Sequence, residues 1–269
     1  MLLIYLRFVL ETSIRYLQYL QLHNRRGSLP LHISRVASKT DIFLLGTSES
    51  ILALNDKAFD VVGNGFSIGI NGFCFHDFVP NLYAVEFSDS HRWNCKLHEQ
   101  LICQLHNSSA VNVLLRENSQ LSSFLLPKHR CLSYSILRPP FLVEDKLLRF
   151  ISLSSKLLPA LKCPLLLGFL STLDRLLFLS LCLSPKSITL LGIDLTSSAH
   201  FYENTHAISP ASYSKDITTH PTYISSYKGL NLLNILKKYK VLFDSMDIPV
   251  YIESEASILS SIFPVRSLR

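Results

Sequence analysis

Two short segments, far apart in this 269-residue chain, carry residue types that could do chemistry. Asp41–Leu45 is a near-continuous apolar run that leads into Gly46-Thr47-Ser48-Glu49-Ser50, and Ser187–Leu191 is a second that leads into Gly192-Ile193-Asp194. Apolar strands that stop at small, polar, flexible residues are where open α/β sheets bind ligands. The Gly46–Ser50 turn opens a helix, so it can offer backbone N–H groups and hydroxyls to a phosphate or a sugar edge. After the second strand comes a polar stretch, residues 195–220, with Tyr202 and His220 and with His200 and His206 between and beside them. About 25 residues without an apolar period inside a compact domain indicate a lid or binding loop. A histidine with a pKa near 6.5 suits proton abstraction at neutral pH, and a tyrosine hydroxyl can donate to an oxygen on which charge develops. Of the loop histidines only His220 directly precedes a long helical pattern. This set of groups suggests a transferase that uses a nucleotide.

The elements that must position these groups alternate along the chain. Strands are expected at Asp41–Leu45, Ser67–Ile70, Leu82–Phe87, Val111–Leu115, Ser187–Leu191 and Pro249–Ile252. Helices are expected at Ser50–Lys57, Asp89–His106, Pro139–Leu158, Thr172–Leu183, Tyr223–Asp247 and Ala256–Ile262, with a short helix or turn at Leu121–Leu126. Apolar strands alternating with helices imply a mainly parallel sheet covered on both faces. The expected architecture is one Rossmann-like α/β domain over residues 40–269, preceded by an apolar amphipathic helix and linker over residues 1–39. No internal repeat or low-complexity tract interrupts it.

The sequence is 48% hydrophobic and only 17% charged, with a net charge of +6. That balance favours anionic partners, a phosphate-bearing ligand or an anionic membrane face. Basic residues are scattered, with small clusters only at Arg25-Arg26 and Lys237-Lys238-Tyr239-Lys240, so nucleic acid is not expected. Arg7, Glu11 and Arg15 interrupt the apolar start every four residues. A membrane-spanning helix needs about 20 residues with few or no charges. The segment therefore reads as a helix that packs on the domain, forms an oligomer or lies in a membrane interface. The six cysteines sit mostly in apolar surroundings with no signal-peptide cleavage site before them, which predicts reduced, buried thiols in a cytoplasmic protein.

Several chemistries are excluded. Cys95, His98, Cys103 and His106 invite a zinc reading, but on one helix they spread over roughly 16 Å of axis and cannot close a tetrahedron around one ion. No Asp-x-Asp pair is present to hold a cation on a diphosphate, and Asp244-Ser-Met-Asp247 has the wrong spacing. Gly63-Asn64-Gly65 does not open a helix after a strand as phosphate fingerprints do, and a Gly-x-Ser-x-Gly elbow is missing.

The order of the remaining motifs resembles the bacterial sialyltransferases of glycosyltransferase family 42, related to the Campylobacter lipooligosaccharide enzymes. Asp41-Ile-Phe-Leu-Leu-Gly-Thr-Ser-Glu-Ser50 looks like that family's first nucleotide-binding loop. Ser67-Ile-Gly-Ile-Asn71 looks like its second strand, ending in an Asn that contacts the cytidine nucleotide, and Ala84-Val-Glu-Phe-Ser88 resembles its third. Ser171-Thr172 stands where the family has a Thr-Ser pair, ahead of the strand that ends Leu191-Gly-Ile-Asp194. Tyr202 falls at the family's phosphate-binding Tyr and His220 at its catalytic His, with Lys238-Lys-Tyr-Lys-Val241, Pro249-Val-Tyr-Ile252 and Ser257-Ile-Leu259 following in order. The chain departs from the pattern at Thr196, where the family has a loop Tyr, and at Phe169, where it has an Arg.

The resemblance implies a variant GT-A-like fold and a metal-independent, inverting transfer of a sialic-acid-type sugar from a CMP donor to a glycan hydroxyl. It implies His220 as general base and Tyr202 as the donor to the departing phosphate. Gly46, Thr47, Ser48, Asn71, Ser88, Ser171, Thr172, Asp194 and Ser257 would hold the donor nucleotide. No metal and no cofactor beyond the CMP-sugar substrate is implied. The expected partners are that donor and a glycan or glycolipid acceptor, with a location peripheral to the inner membrane and room for a homo-oligomer. Two alternatives stay open: a magnesium-dependent pterin or nucleotide phosphotransferase-like enzyme, and a non-catalytic binding relative of the fold.

Overall fold

The computed structural model describes residues 39–86, 91–107, 112–116, 131–137, 144–160, 165–196, 200–203, 226–227 and 230–268. The expected N-terminal helix, the short helix or turn expected at Leu121–Leu126 and most of the polar loop at 195–220 lie outside them.

Eight strands form one sheet in the order β10-β7-β1-β2-β3-β4-β5-β6. They are β1 (Asp41–Leu45), β2 (Phe66–Ile70), β3 (Leu82–Val85), β4 (Asn112–Arg116), β5 (Cys131–Leu137), β6 (Leu165–Leu167), β7 (Ser187–Leu191) and β10 (Val250–Ile252). Every pairing in this sheet is parallel. The chain runs outward from β1 through β6, then returns to the other side of β1 as β7 and continues to β10. The two halves part at β1 and β7, which is the topological switch point where a crevice opens beyond the carboxyl ends of the strands.

Alternation along the strands supplies both faces. Ile42, Leu44, Ile68, Leu82, Ile188 and Leu190 point into one core with α3 (Glu144–Ala160), α4 (Thr172–Leu183) and α5 (Leu232–Asp244). Phe43, Leu45, Tyr83, Val85 and Leu191 point into a second core with α1 (Asp56–Gly63) and α2 (His91–Asn107). Burial of both faces is why β1 and β7 read as apolar runs. Helix α4 buries every residue except Cys182, as a helix apolar all round must.

Several expectations change in detail. The last helix, expected at Ala256–Ile262, is a 3-10 turn over Ile258–Ser261, and the stretch expected from the Pro139-Pro140 pair is helical over Glu144–Ala160. The helix expected at Ser50–Lys57 is a 3-10 turn over Glu49–Ala53 followed by α1, which starts where the Asn55 side chain accepts the Ala58 N–H at 3.0 Å. The helix expected from Tyr223 begins at Leu232, capped by Asn231, because Ser226–Tyr227 (β8) and Leu230–Asn231 (β9) pair as a short antiparallel ribbon. Strands β5 and β6 extend the sheet past the expected set.

The thiols also divide differently. Cys74 is buried and Cys182 half-buried, whereas Cys95 and Cys103 are exposed on α2. Among the described residues no helix is long and apolar enough to cross a membrane.

Candidate active site

β1 and β7 pair in register from Asp41 with Ser187 to Leu45 with Leu191. The pairing continues past both strand ends, with the Gly46 N–H donating to Leu191 O (2.7 Å) and the Ser48 N–H to Gly192 O (2.9 Å). Two glycines permit this approach. A Cβ on Gly46 would stand 2.2 Å from Gly192 O, and Gly192 itself has φ +62°, a left-handed conformation that favours glycine.

A pocket opens at this junction. Its first wall is Gly46-Thr47-Ser48 after β1, its second Gly192-Ile193 and Leu195 after β7, and its third Ile70-Asn71 after β2. Ser171-Thr172-Leu173 at the start of α4, with Leu232 and His200, complete it. The structure thus gathers six of the nucleotide-site residues expected from sequence, Gly46, Thr47, Ser48, Asn71, Ser171 and Thr172, around one crevice at the switch point. Hydroxyls, an amide and an imidazole line it with no carboxylate among the described residues, a donor set suited to an uncharged or anionic ligand rather than to a hard cation. Elsewhere among the described residues, no group of three or more His, Cys, Asp or Glu side chains could hold a metal ion.

The wall at α4 is built from the helix cap upward. Ser171 caps the helix, and the fully buried Asp174 closes a capping box with it. The Asp174 carboxylate accepts N–H groups from Phe169 (2.6 Å), Leu170 (3.2 Å) and Ser171, and the Ser171 hydroxyl (2.9 Å). Burial pushes the Asp174 pKa up, with the Arg175 charge and these donors opposing it. Arg175, 4% exposed, donates from Nη2 to Glu86 Oε2 at 2.5 Å. Glu86 in turn accepts the Tyr134 hydroxyl at 2.8 Å, and its N–H donates to Asn71 Oδ1 at 3.0 Å. Asn71 is held at φ 48°, a left-handed position that Asn tolerates better than other side chains. Neither Glu86 nor Arg175 stood out in the sequence. They meet only because β3 ends beside α4.

His200 is a third residue that the sequence did not single out. Its Nδ1 lies 2.7 Å from Thr47 Oγ1. The backbone holds it there too, through a bridge between Ser48 and His200 and the Phe201 N–H donating to Thr47 O at 3.0 Å. Tyr202 is 1% exposed and belongs to the second core, one ring removed from the pocket. It stacks on the His200 ring with centroids 5.2 Å apart and planes 10° apart.

Asp194 and Ser257 stand behind the wall that follows β7. The Ser257 hydroxyl lies 3.0 Å and 3.1 Å from the carbonyl oxygens of Ile193 and Asp194 and accepts the Leu259 N–H at 3.1 Å, so it pins the turn from outside. The Asp194 N–H donates to Ser48 Oγ at 3.2 Å, and burial raises its carboxyl above the ordinary 3.8. Ser88 and His220 lie outside the described residues.

No family model and no curated protein matches this sequence. Solved structures similar to it include an apo alpha-2,3-sialyltransferase from Campylobacter jejuni, 16% identical, with 86% of this chain and 81% of that one covered at a TM-score of 0.45. A monofunctional alpha-2,3-sialyltransferase of the same organism is 14% identical over 86% and 81%, at 0.48. A third, a sialyltransferase of that organism in complex with the substrate analogue cytidine-5'-monophosphate, is 11% identical over 86% and 87%, at 0.47.

Proposed function

We propose that this chain is a glycosyltransferase that binds a CMP-sugar, with a sialic-acid-type donor, in the crevice between β1, β2, β7 and α4. One observation carries the reading. Gly46-Thr47-Ser48, Asn71 and Ser171-Thr172, which lie on three separate segments and which the motif resemblance assigns to one nucleotide, line one pocket. Its position at the switch point of a parallel sheet is where such sheets hold nucleotides.

The lining is compatible with an uncharged base and ribose. Asn71 Oδ1 is occupied by the Glu86 N–H, which orients the side-chain amide so that its NH2 group can serve a ligand acceptor. Thr172 adds a hydroxyl at the opposite wall, where the Ser171 hydroxyl is spent on the Asp174 cap. The absence of carboxylates from the lining among the described residues favours this reading over a magnesium-dependent phosphotransferase, whose cation needs oxygen ligands of that kind. In the proposed reaction the acceptor hydroxyl attacks the anomeric carbon of the donor sugar. The bond from that carbon to the phosphate oxygen breaks, CMP leaves with the electron pair, and the hydroxyl proton passes to a general base. His220 is proposed for that base, with no metal or cofactor in the step. A glycan or glycolipid would be the acceptor.

Calorimetric titration with CMP, with Asn71→Asp and Thr172→Val alongside, tests the site. Asn71→Asp keeps the acceptor for the Glu86 N–H but exchanges the NH2 donor for an oxygen. Each variant is expected to weaken CMP by about tenfold, the value of one lost hydrogen bond, roughly 1.4 kcal/mol. CMP binding that neither variant changes would place the nucleotide elsewhere.

A further inference from the structure

We propose that His200 meets the phosphate of the bound nucleotide, with Thr47 setting its orientation and Tyr202 serving as its support. This rests on the pocket being a nucleoside monophosphate site and says which end of it takes the charge.

An anion in this pocket has few places to go. The first loop was expected to offer backbone N–H groups, but those of Gly46 and Ser48 donate to Leu191 and Gly192. The Ser48 hydroxyl accepts the Asp194 N–H and keeps one uncharged O–H to donate. The Glu49–Ala53 turn that follows is a short 3-10 segment, not an α-helix with an open N-terminus. At the opposite wall α4 does present its N-terminus. There the Asp174 N–H is taken by Ser171 Oγ, and the buried Asp174 carboxylate, which collects the N–H groups of Phe169, Leu170 and Ser171 leading into the helix, stands directly behind that end. A second anion would face that carboxylate at close range, and like charges in a low-dielectric site repel strongly. No Lys or Arg lines the pocket among the described residues.

The lining side chains that keep a donor for a ligand are Ser48, Asn71, Thr172 and the Thr47–His200 pair. Amides and hydroxyls suit a base and a ribose. Imidazole is the one side chain among them that can carry a positive charge and donate from either ring nitrogen. Its pose is fixed from three directions. Thr47 Oγ1 holds Nδ1 at 2.7 Å, the Ser48–His200 bridge holds the backbone, and the Tyr202 ring holds the plane. Tyr202 is itself seated against Phe75 at 5.1 Å and Phe201 at 5.3 Å. A polar group locked by its own supporting shell is what precise contact with a ligand requires.

The test compares equilibrium binding of CMP and of cytidine, which lacks the phosphate, to the full chain. Wild type is expected to prefer CMP. His200→Ala should weaken CMP by about tenfold and leave cytidine within about twofold, because only the charged contact is lost. Tyr202→Phe, which keeps the supporting ring, should leave both ligands within about twofold. If His200→Ala fails to fold, His200→Asn, which keeps a partner for Thr47, should show the same selective loss. Equal weakening of CMP and cytidine, or no change in either, overturns the role of His200. Selective loss of CMP in Tyr202→Phe also overturns it and returns the phosphate to the tyrosine hydroxyl. If wild type binds neither ligand, the nucleotide reading of the pocket falls, and this assignment falls with it.

Discussion

Asp194 sits at the end of β7 with its Oδ1 buried and, among the described residues, no hydrogen-bond partner for that atom. Burial raises its carboxyl above the ordinary 3.8, and the hydroxyl and N–H of Ser50 offset only part of that. The sign of the effect on stability follows. Below the unfolded pKa both states hold the proton and folding is unaffected. As the pH rises through that value the unfolded chain releases its proton first, so the native state loses stability until its own, higher pKa is passed. Asp194→Asn should therefore melt above wild type at neutral pH, with the gap closing below pH 3.8, in thermal melts from acid to neutral pH. An equal gap at every pH would mean that the carboxylate is paid for elsewhere. The chemistry of single residues was partly legible before the fold. Thr47, Asn71 and Thr172 stand next to strand ends or a helix start, and small polar residues there are a local signal. His200 was visible only as one of three histidines in a polar loop, because what separates it from the others is contact with Thr47, 153 positions away.

At the scale of elements, Glu86 joins three of them, for it bonds Arg175 on α4, Tyr134 on β5 and, through its N–H, Asn71 after β2. Gly168 makes room for the arginine, since a Cβ there would stand 2.6 Å from Arg175 Cγ. A buried ion pair adds little net stability as a pair, but removing one partner strands the other charge and costs about 3–5 kcal/mol. Arg175→Met should therefore destabilise the fold by about 3 kcal/mol, and Glu86→Gln combined with Arg175→Met should recover part of it. Denaturant melts of the single and double variants check this, and additive losses would contradict it. No sequence pattern announces such a pair across 89 residues. The elements themselves were far more legible. β1, β7 and α4 have the bounds that their apolar runs predict. The start of α5 was missed because Leu230 and Asn231 continue its amphipathic pattern while pairing as a strand. β6, three leucines long, is too short for any period to appear.

Over the whole molecule, the parallel sheet and its two covered faces follow from strands that are apolar on both sides. The strand order does not, because alternation along a chain says nothing about which side of β1 the returning β7 takes. That single choice builds the pocket, since β7 must lie beside β1 for Gly192 to meet Gly46. Coverage of both faces also sorts the thiols. Cys74 and Cys182 are pushed far above the ordinary thiol range by burial, whereas Cys95 and Cys103 face solvent. A thiol reagent such as Ellman's should label Cys95 and Cys103 in native protein and reach Cys74 only after unfolding. Rapid native labelling of Cys74 would contradict the packing of the second core.

The central claim, a CMP-sugar transferase whose donor site is the crevice at the β1–β7 switch point, is tested most directly by release of CMP from CMP-sialic acid. The purified chain would be assayed with EDTA present, beside Thr172→Val and His220→Ala. Release should survive EDTA, weaken in Thr172→Val through its KM, and collapse in His220→Ala through its kcat. No release from wild type together with no CMP-induced thermal shift, or release only on addition of magnesium, would contradict that claim.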